Sequence, residues 1–134
     1  MKLRSMLASM AALCLLTACE DVFEDNSLEP DGSVPSVKVN SPTKNPTVTA
    51  SQGLQVYVTV VDKDKVDKLD FQVLGASGEK PLIDFSKKPN KSVVEFDTLV
   101  SLQGIVPGTY TLKISAKDMR TNLSEKEVQF TVVK

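Results

Sequence analysis

Five oxygen-bearing side chains gather in two short stretches of the sequence, and together they carry the donor set of a hard-cation site. Asp62, Asp64 and Asp67 form one stretch, and Asp118 and Asn122 the other. Ca²⁺ takes about six to eight oxygen ligands, drawn from carboxylates, amide carbonyls, backbone and water. A second reading is local. Lys63, Lys65 and Lys68 interleave with the acids, and Asp and Asn are common turn formers because their side chains bond nearby backbone.

Other chemistry is excluded by composition. The chain has no histidine, which removes Ser-His-Asp and Cys-His mechanisms and any imidazole metal site. The remaining carboxylates, lysines and tyrosines form no paired arrangement suited to acid–base work, so no enzyme is expected. The formal net charge is −1 and aromatic residues make up 5%. With lysines scattered among acids and few rings to stack on bases, there is no nucleic-acid footprint.

The two cysteines lie at the start, at 14 and 19. Lys2 and Arg4 precede an apolar run from Met6 to Leu16. A membrane-spanning helix needs about 20 apolar residues, so this run is too short to span. Its length and flanks fit a secretory signal peptide over residues 1–18. The run closes on Leu16-Thr17-Ala18-Cys19, which resembles the lipobox of bacterial lipoproteins. An ordinary signal peptide with a chance cysteine is the alternative. The resemblance implies diacylglycerol on the Cys19 sulfur, cleavage between Ala18 and Cys19, and acylation of the new amino terminus. Several acyl chains make a durable anchor where one binds only marginally. Cys14 would leave with the signal peptide and Cys19 would carry lipid. The mature domain would then have neither thiol nor disulfide, in a compartment that permits them.

Residues 19–36 read as a lipidated, acidic, disordered tether. Six acids (Glu20, Asp21, Glu24, Asp25, Glu29, Asp31) stand there without a base, and Asn26, Ser27, Pro30, Gly32 and Pro35 break any periodicity. As a flexible coil it would span roughly 20–25 Å. Glu20-Asp21 is similar to the acidic export signal behind the lipidated cysteine of surface lipoproteins of Bacteroidota, although here no spacer precedes the acids. The resemblance implies an outer-membrane lipoprotein that is surface-exposed, the periplasmic face being the alternative.

From Val37 the sequence changes character, with 14 bases and 11 acids and a period of two, the sign of half-buried strands. Leu54, Val56, Val58 and Val60 form one alternating set. Leu69, Phe71 and Val73 form the next, followed by Val94 and Phe96, then Tyr110, Leu112, Ile114 and Ala116, then Val128, Phe130 and Val132. Val37, Val39 and Phe85 complete the expected core. Breakers separate the runs at Pro42 and Pro46, Gly75 and Gly78, Pro89-Asn90, Pro107-Gly108 and Thr121-Asn122. The pattern predicts strands at 37–40, 53–61, 66–74, 80–85, 92–99, 108–117 and 126–133. That is an all-β, seven-stranded, Ig-like Greek-key β-sandwich over 37–134. In such a fold the turns after the second and sixth strands share one end, which would bring the five oxygen ligands together. Tyr110, just after Pro107-Gly108, resembles the tyrosine corner of Greek-key sandwiches, whose phenol bonds back to upstream backbone.

Gly108 to Asp118 followed by Asn122-Leu123-Ser124 resembles the small Ig-like lipoproteins of Bacteroidota, most strongly over 104–134. Thr121 stands where that family usually has glycine, which predicts a turn of different shape. The resemblance implies a sandwich of immunoglobulin or fibronectin-III type and no set activity. The expected role is a non-catalytic protein-binding, adhesion or spacer module, with an unnamed protein partner. The alternative is a glycan- or calcium-binding accessory lipoprotein. Sugars stack on aromatic rings, yet the chain has no tryptophan and only Tyr57 reads as an outward aromatic on a strand. Beyond lipid on Cys19 and the candidate calcium, no cofactor is expected. Leu99, Val100, Leu102, Ile105 and Val106 either cap the core or expose a patch. Asp97-Thr98-Leu99 resembles the short O-glycosylation motif of Bacteroidota.

Overall fold

The computed structural model describes residues 30–134 apart from 78 and 79. The signal peptide, Cys19 and the tether as far as Glu29 lie outside the described residues. Seven strands follow in order: β1 (Ser36–Ser41), β2 (Thr47–Thr49), β3 (Leu54–Leu74), β4 (Ile83–Lys87), β5 (Lys91–Val100), β6 (Gly108–Asp118) and β7 (Leu123–Val133).

The expected strands at 53–61 and 66–74 are one continuous strand, β3. Neither glycine nor proline stands between them, so the chain bends instead of turning back. Val56, Val58, Val60 and Val66 face inward on even positions, while Leu69, Phe71 and Val73 face inward on odd ones. The pairing register against β6 slips at that switch, between Val66 and Lys68. Such a bulge bends a strand and sharpens its twist. Lys65 adds to the bend with φ of 68°.

The bend lets one strand serve two layers. Residues 54–61 pair with β1 and β5, as in Val39 with Val58 and Val60 with Val94. Residues 66–74 pair with β6 and β4, as in Phe71 with Ile114 and with Phe85. β7 continues the second layer beside β6, and β2 runs parallel to β7 at its far edge. The result is an all-β, Ig-like sandwich. β2 keeps the strand count at seven. It pairs with residues more than eighty positions away, so no local period announced it.

Between the layers, Phe71 stacks on Phe85 at 4.9 Å and meets Phe96 of the opposite layer, also at 4.9 Å. Leu54, Leu69, Leu112, Ile114, Phe130 and Val132 are buried as the alternation predicts. Val39, Phe85, Phe96 and Val128 are only half-buried. The apolar connection before Pro107 divides. Leu102 is sealed in the core and Val100 nearly so, whereas Leu99 and Val106 are 61% and 68% exposed. Gly53 lets β3 start hard against β5: its φ is +75°, and a Cβ there would meet the Val100 carbonyl at 2.7 Å.

The bend of β3 and the β6–β7 turn meet at one end of the sandwich, as Met119 N–H donates to the Lys65 carbonyl at 3.1 Å. The β4–β5 turn joins them, with Asn90 N–H on the Val66 carbonyl at 2.9 Å.

Candidate functional site

The end just described gathers most of the oxygen ligands singled out from the sequence. Asp118, the last residue of β6, is fully buried. Its Oδ1 accepts from Arg120 N–H at 2.8 Å and Asn122 N–H at 2.9 Å, which shapes the turn into β7. Thr121, in place of the expected glycine, takes the left-handed conformation at φ 65°. A β-branched residue is rare there because its Cβ crowds the backbone.

Asn122 sits at the centre. Its Nδ2 donates to Asp118 Oδ2 and to Asp31 Oδ1, both at 2.9 Å, while its Oδ1 accepts from Gly32 N–H at 3.2 Å. Asp31 Oδ1 also accepts from Ser33 N–H at 3.0 Å, closing a local turn. Lys63 Nζ lies 2.5 Å from Asp31 Oδ2 and 3.1 Å from Asp64 Oδ2. Arg120 Nε lies 3.2 Å from Asp64 Oδ1 and 3.8 Å from Asp31 Oδ2. Asp62 is buried and its Oδ1 accepts from Asp64 N–H at 2.7 Å.

The structure thus brings Asp62, Asp64, Asp118 and Asn122 together at one end. Asp67 is not among them; its carboxylate faces Lys117 Nζ at 3.7 Å. The register slip after Val66 is the reason, since it changes which positions face the cluster. Asp31 is a further member, although its sequence context is that of the tether. Pro30-Asp31-Gly32-Ser33 does carry turn chemistry, but nothing local names the distant asparagine that receives it.

Electrostatics follow from these contacts. The Lys63 ammonium, with Ser33 N–H, holds the Asp31 carboxyl well below the usual carboxylate range. The same bond to Asp31, and then that to Asp64, raises Lys63 above its ordinary value. Burial pushes Asp62 up, and the neighbouring Asp118 and Asp64 carboxylates add to it.

Oxygens of Asp31, Asp64 and Asp118 converge within 4.8 Å of one another, a spacing that a divalent cation could bridge. Lys63 and Arg120, however, already sit on the Asp31 and Asp64 oxygens that the ion would need. The residues present form a salt-bridged clasp that fastens 31–33 to the β6–β7 turn.

Elsewhere, Tyr57 lies on the outer face of the first layer, half-buried, its hydroxyl 3.4 Å from Glu95 Oε1. No aromatic partner stacks beside it among the described residues. The Tyr110 hydroxyl donates to the Val106 carbonyl at 2.5 Å, the bond of a tyrosine corner, and its ring lies 5.8 Å from that of Phe130.

No protein-family model and no curated protein matches the sequence. Solved structures do resemble the fold. OgpA from Akkermansia muciniphila superposes with a TM-score of 0.58 at 14% identity, over 78% of this chain and 30% of that one. The chain thus spans less than a third of OgpA. The fibronectin(III)-like modules of Clostridium thermocellum CbhA follow, with a TM-score of 0.47 at 21% identity over 75% of this chain and 47% of that one. CopC from Methylosinus trichosporium OB3b gives 0.45 at 19% identity, over 75% and 92%. At such identities the likeness is one of fold alone.

Proposed function

We propose that this chain is an Ig-like lipoprotein of the cell envelope, of the Bacteroidota kind, which acts by binding or spacing and catalyses nothing. Lipid on Cys19 would hold it in the outer membrane, with Glu20-Asp21 directing it to the cell surface. The observation that carries this reading is the clasp. It fastens Asp31 and Gly32 to Asn122, so the chain leaves the sandwich toward Cys19 from the bend end. A fixed exit at one point suits a domain that is held from there and meets a partner elsewhere on its surface. The absence of histidine and of any mature thiol supports a role without chemistry.

The intact mass of the protein recovered from membranes tests the anchor. The expected product begins at Cys19 and is heavier than its peptide by the diacylglycerol and acyl groups. A Cys19→Ala chain should be neither cleaved nor lipidated. A native mass equal to bare peptide would refute the reading. Protease treatment of whole cells should remove the domain if it is on the surface and spare it if it faces the periplasm.

A further inference from the structure

The two long sides of the sandwich are unlike. On one, the chain crosses from β1 in the first layer to β2, which pairs with β7 in the second. On the other lie β4 and β5. Each pairs only with β3, so each has a free edge, and no described strand bridges them.

Between these edges runs a trough in two parts, of about 300 Å³ and 380 Å³, which share Lys87 and Phe96. Its floor is apolar: Leu69, Ile83, Phe85, Val94 and Phe96. Phe85 and Phe96 are packed on the buried Phe71 and are themselves only half-buried, with the Lys87 ammonium 5.8 Å from the centroid of the Phe96 ring. Three lysines, Lys87, Lys88 and Lys91, crowd the end nearest the β4–β5 turn. Among the described residues none of the three has a carboxylate within ion-pair distance. Glu95 is the single acid on the walls, and it is within reach of the Tyr57 hydroxyl.

A free strand edge is a row of unpaired N–H and C=O groups that invites another strand. A strand added about 4.8 Å beyond β5 would lay alternate side chains over the two phenyl rings. Backbone bonds would supply affinity and the floor would supply selectivity. Charge decides the occupant. A second copy of this chain brings the same uncompensated lysines, whereas an acidic segment neutralises them.

We propose that the seam between β4 and β5 takes up an extended segment of a partner protein as an added strand on β5, its apolar side chains over Phe85 and Phe96 and an acidic end against Lys87, Lys88 and Lys91. The inference rests on the protein-binding reading above and names the chemistry of the partner.

The test uses the mature chain and two ten-residue peptides, each alternating valine and threonine over six residues, one carrying four glutamates and the other four lysines at the end that meets the β4–β5 turn. The acidic peptide should bind, and it should slow amide exchange along residues 91–100. Lys88 and Lys91 are exposed, so Lys88→Glu with Lys91→Glu should leave the melting curve intact. That double variant should weaken acidic-peptide binding about tenfold or more. Equal binding of both peptides, no binding of either, or protection confined to another face would overturn the proposal. So would a concentration-dependent dimer made through β5. None of these outcomes touches the lipid mass or whole-cell proteolysis, so failure here is separable from failure of the envelope reading.

Discussion

Asn122 and Asp31 are ninety-one positions apart in the chain, and the asparagine amide donates to the aspartate at 2.9 Å. The same amide accepts from Gly32 and donates to Asp118, so one side chain ties the entry of the domain to its last turn. The bond replaces a stretch of expected free tether with a fixed exit.

Removing that side chain should cost more than removing any of its exposed partners. Asn122→Ala strips a donor from the buried Asp118 Oδ2 and an acceptor from Gly32, a loss of about 2–3 kcal/mol. Urea unfolding should show it, along with faster proteolysis at 31–33. Asp31→Asn should have a smaller effect that fades in high salt, because its ion pairs are exposed. Equal losses from the two variants would show that the clasp is not centred on Asn122.

Two carboxylates at this end should titrate in opposite senses. Asp31 is held below its ordinary value of 3.8. Its contribution is therefore complete above pH 3.8 and is lost only as pH falls through the still lower folded value. Asp62 is raised by burial. Its ionised form therefore burdens the fold at neutral pH, and the burden lifts as pH falls through the raised value. Asp62→Asn keeps an acceptor for Asp64 N–H and cannot ionise. Its melting temperature should exceed wild type at pH 7, and the gap should close toward pH 4. A gap that widened on acidification would reverse the assignment.

Calcium should not be needed for stability. Lys63 and Arg120 already neutralise Asp31 and Asp64, so millimolar Ca²⁺ should leave the melting temperature unchanged and give no heat in calorimetric titration. A rise of several degrees would mean that the ion displaces Lys63.

Thr121 adopts a backbone conformation at φ 65° that glycine takes more readily. Thr121→Gly should therefore stabilise the domain by about 0.5–1 kcal/mol, the relief of strain exceeding the added chain entropy. Thr121→Val should bring no such gain. A destabilised glycine variant would mean that the threonine side chain itself bonds in the turn.

Tyr110→Phe keeps the ring against Phe130 and deletes the bond to the Val106 carbonyl. The expected loss is about 1 kcal/mol, or about 4–8 °C in melting temperature for a domain of this size. An unchanged midpoint would assign the tyrosine to packing alone.

Much of this was legible in the residues. Period two located the inward faces of β3, β5 and β6, because burial on one side of a strand selects every second side chain. It was silent on whether 53–61 and 66–74 are joined, since Asp62 to Lys65 can bend a strand or end one. β2 escaped because three residues carry no period and its partner β7 lies at the other end of the chain. The same gap hid Asp31. A turn can be read locally, whereas the residue that clasps it is chosen by the fold.

The parallel pairing of β2 with β7 has a mechanical consequence. Thr47, Val48 and Thr49 are registered on Thr131, Val132 and Val133, while β1 is registered on β3. If the amino-terminal side is held at a membrane and the carboxyl end is pulled, force runs along these strands rather than across them. Their hydrogen bonds are then loaded together in shear instead of parting one by one. Such a domain resists extension as a block.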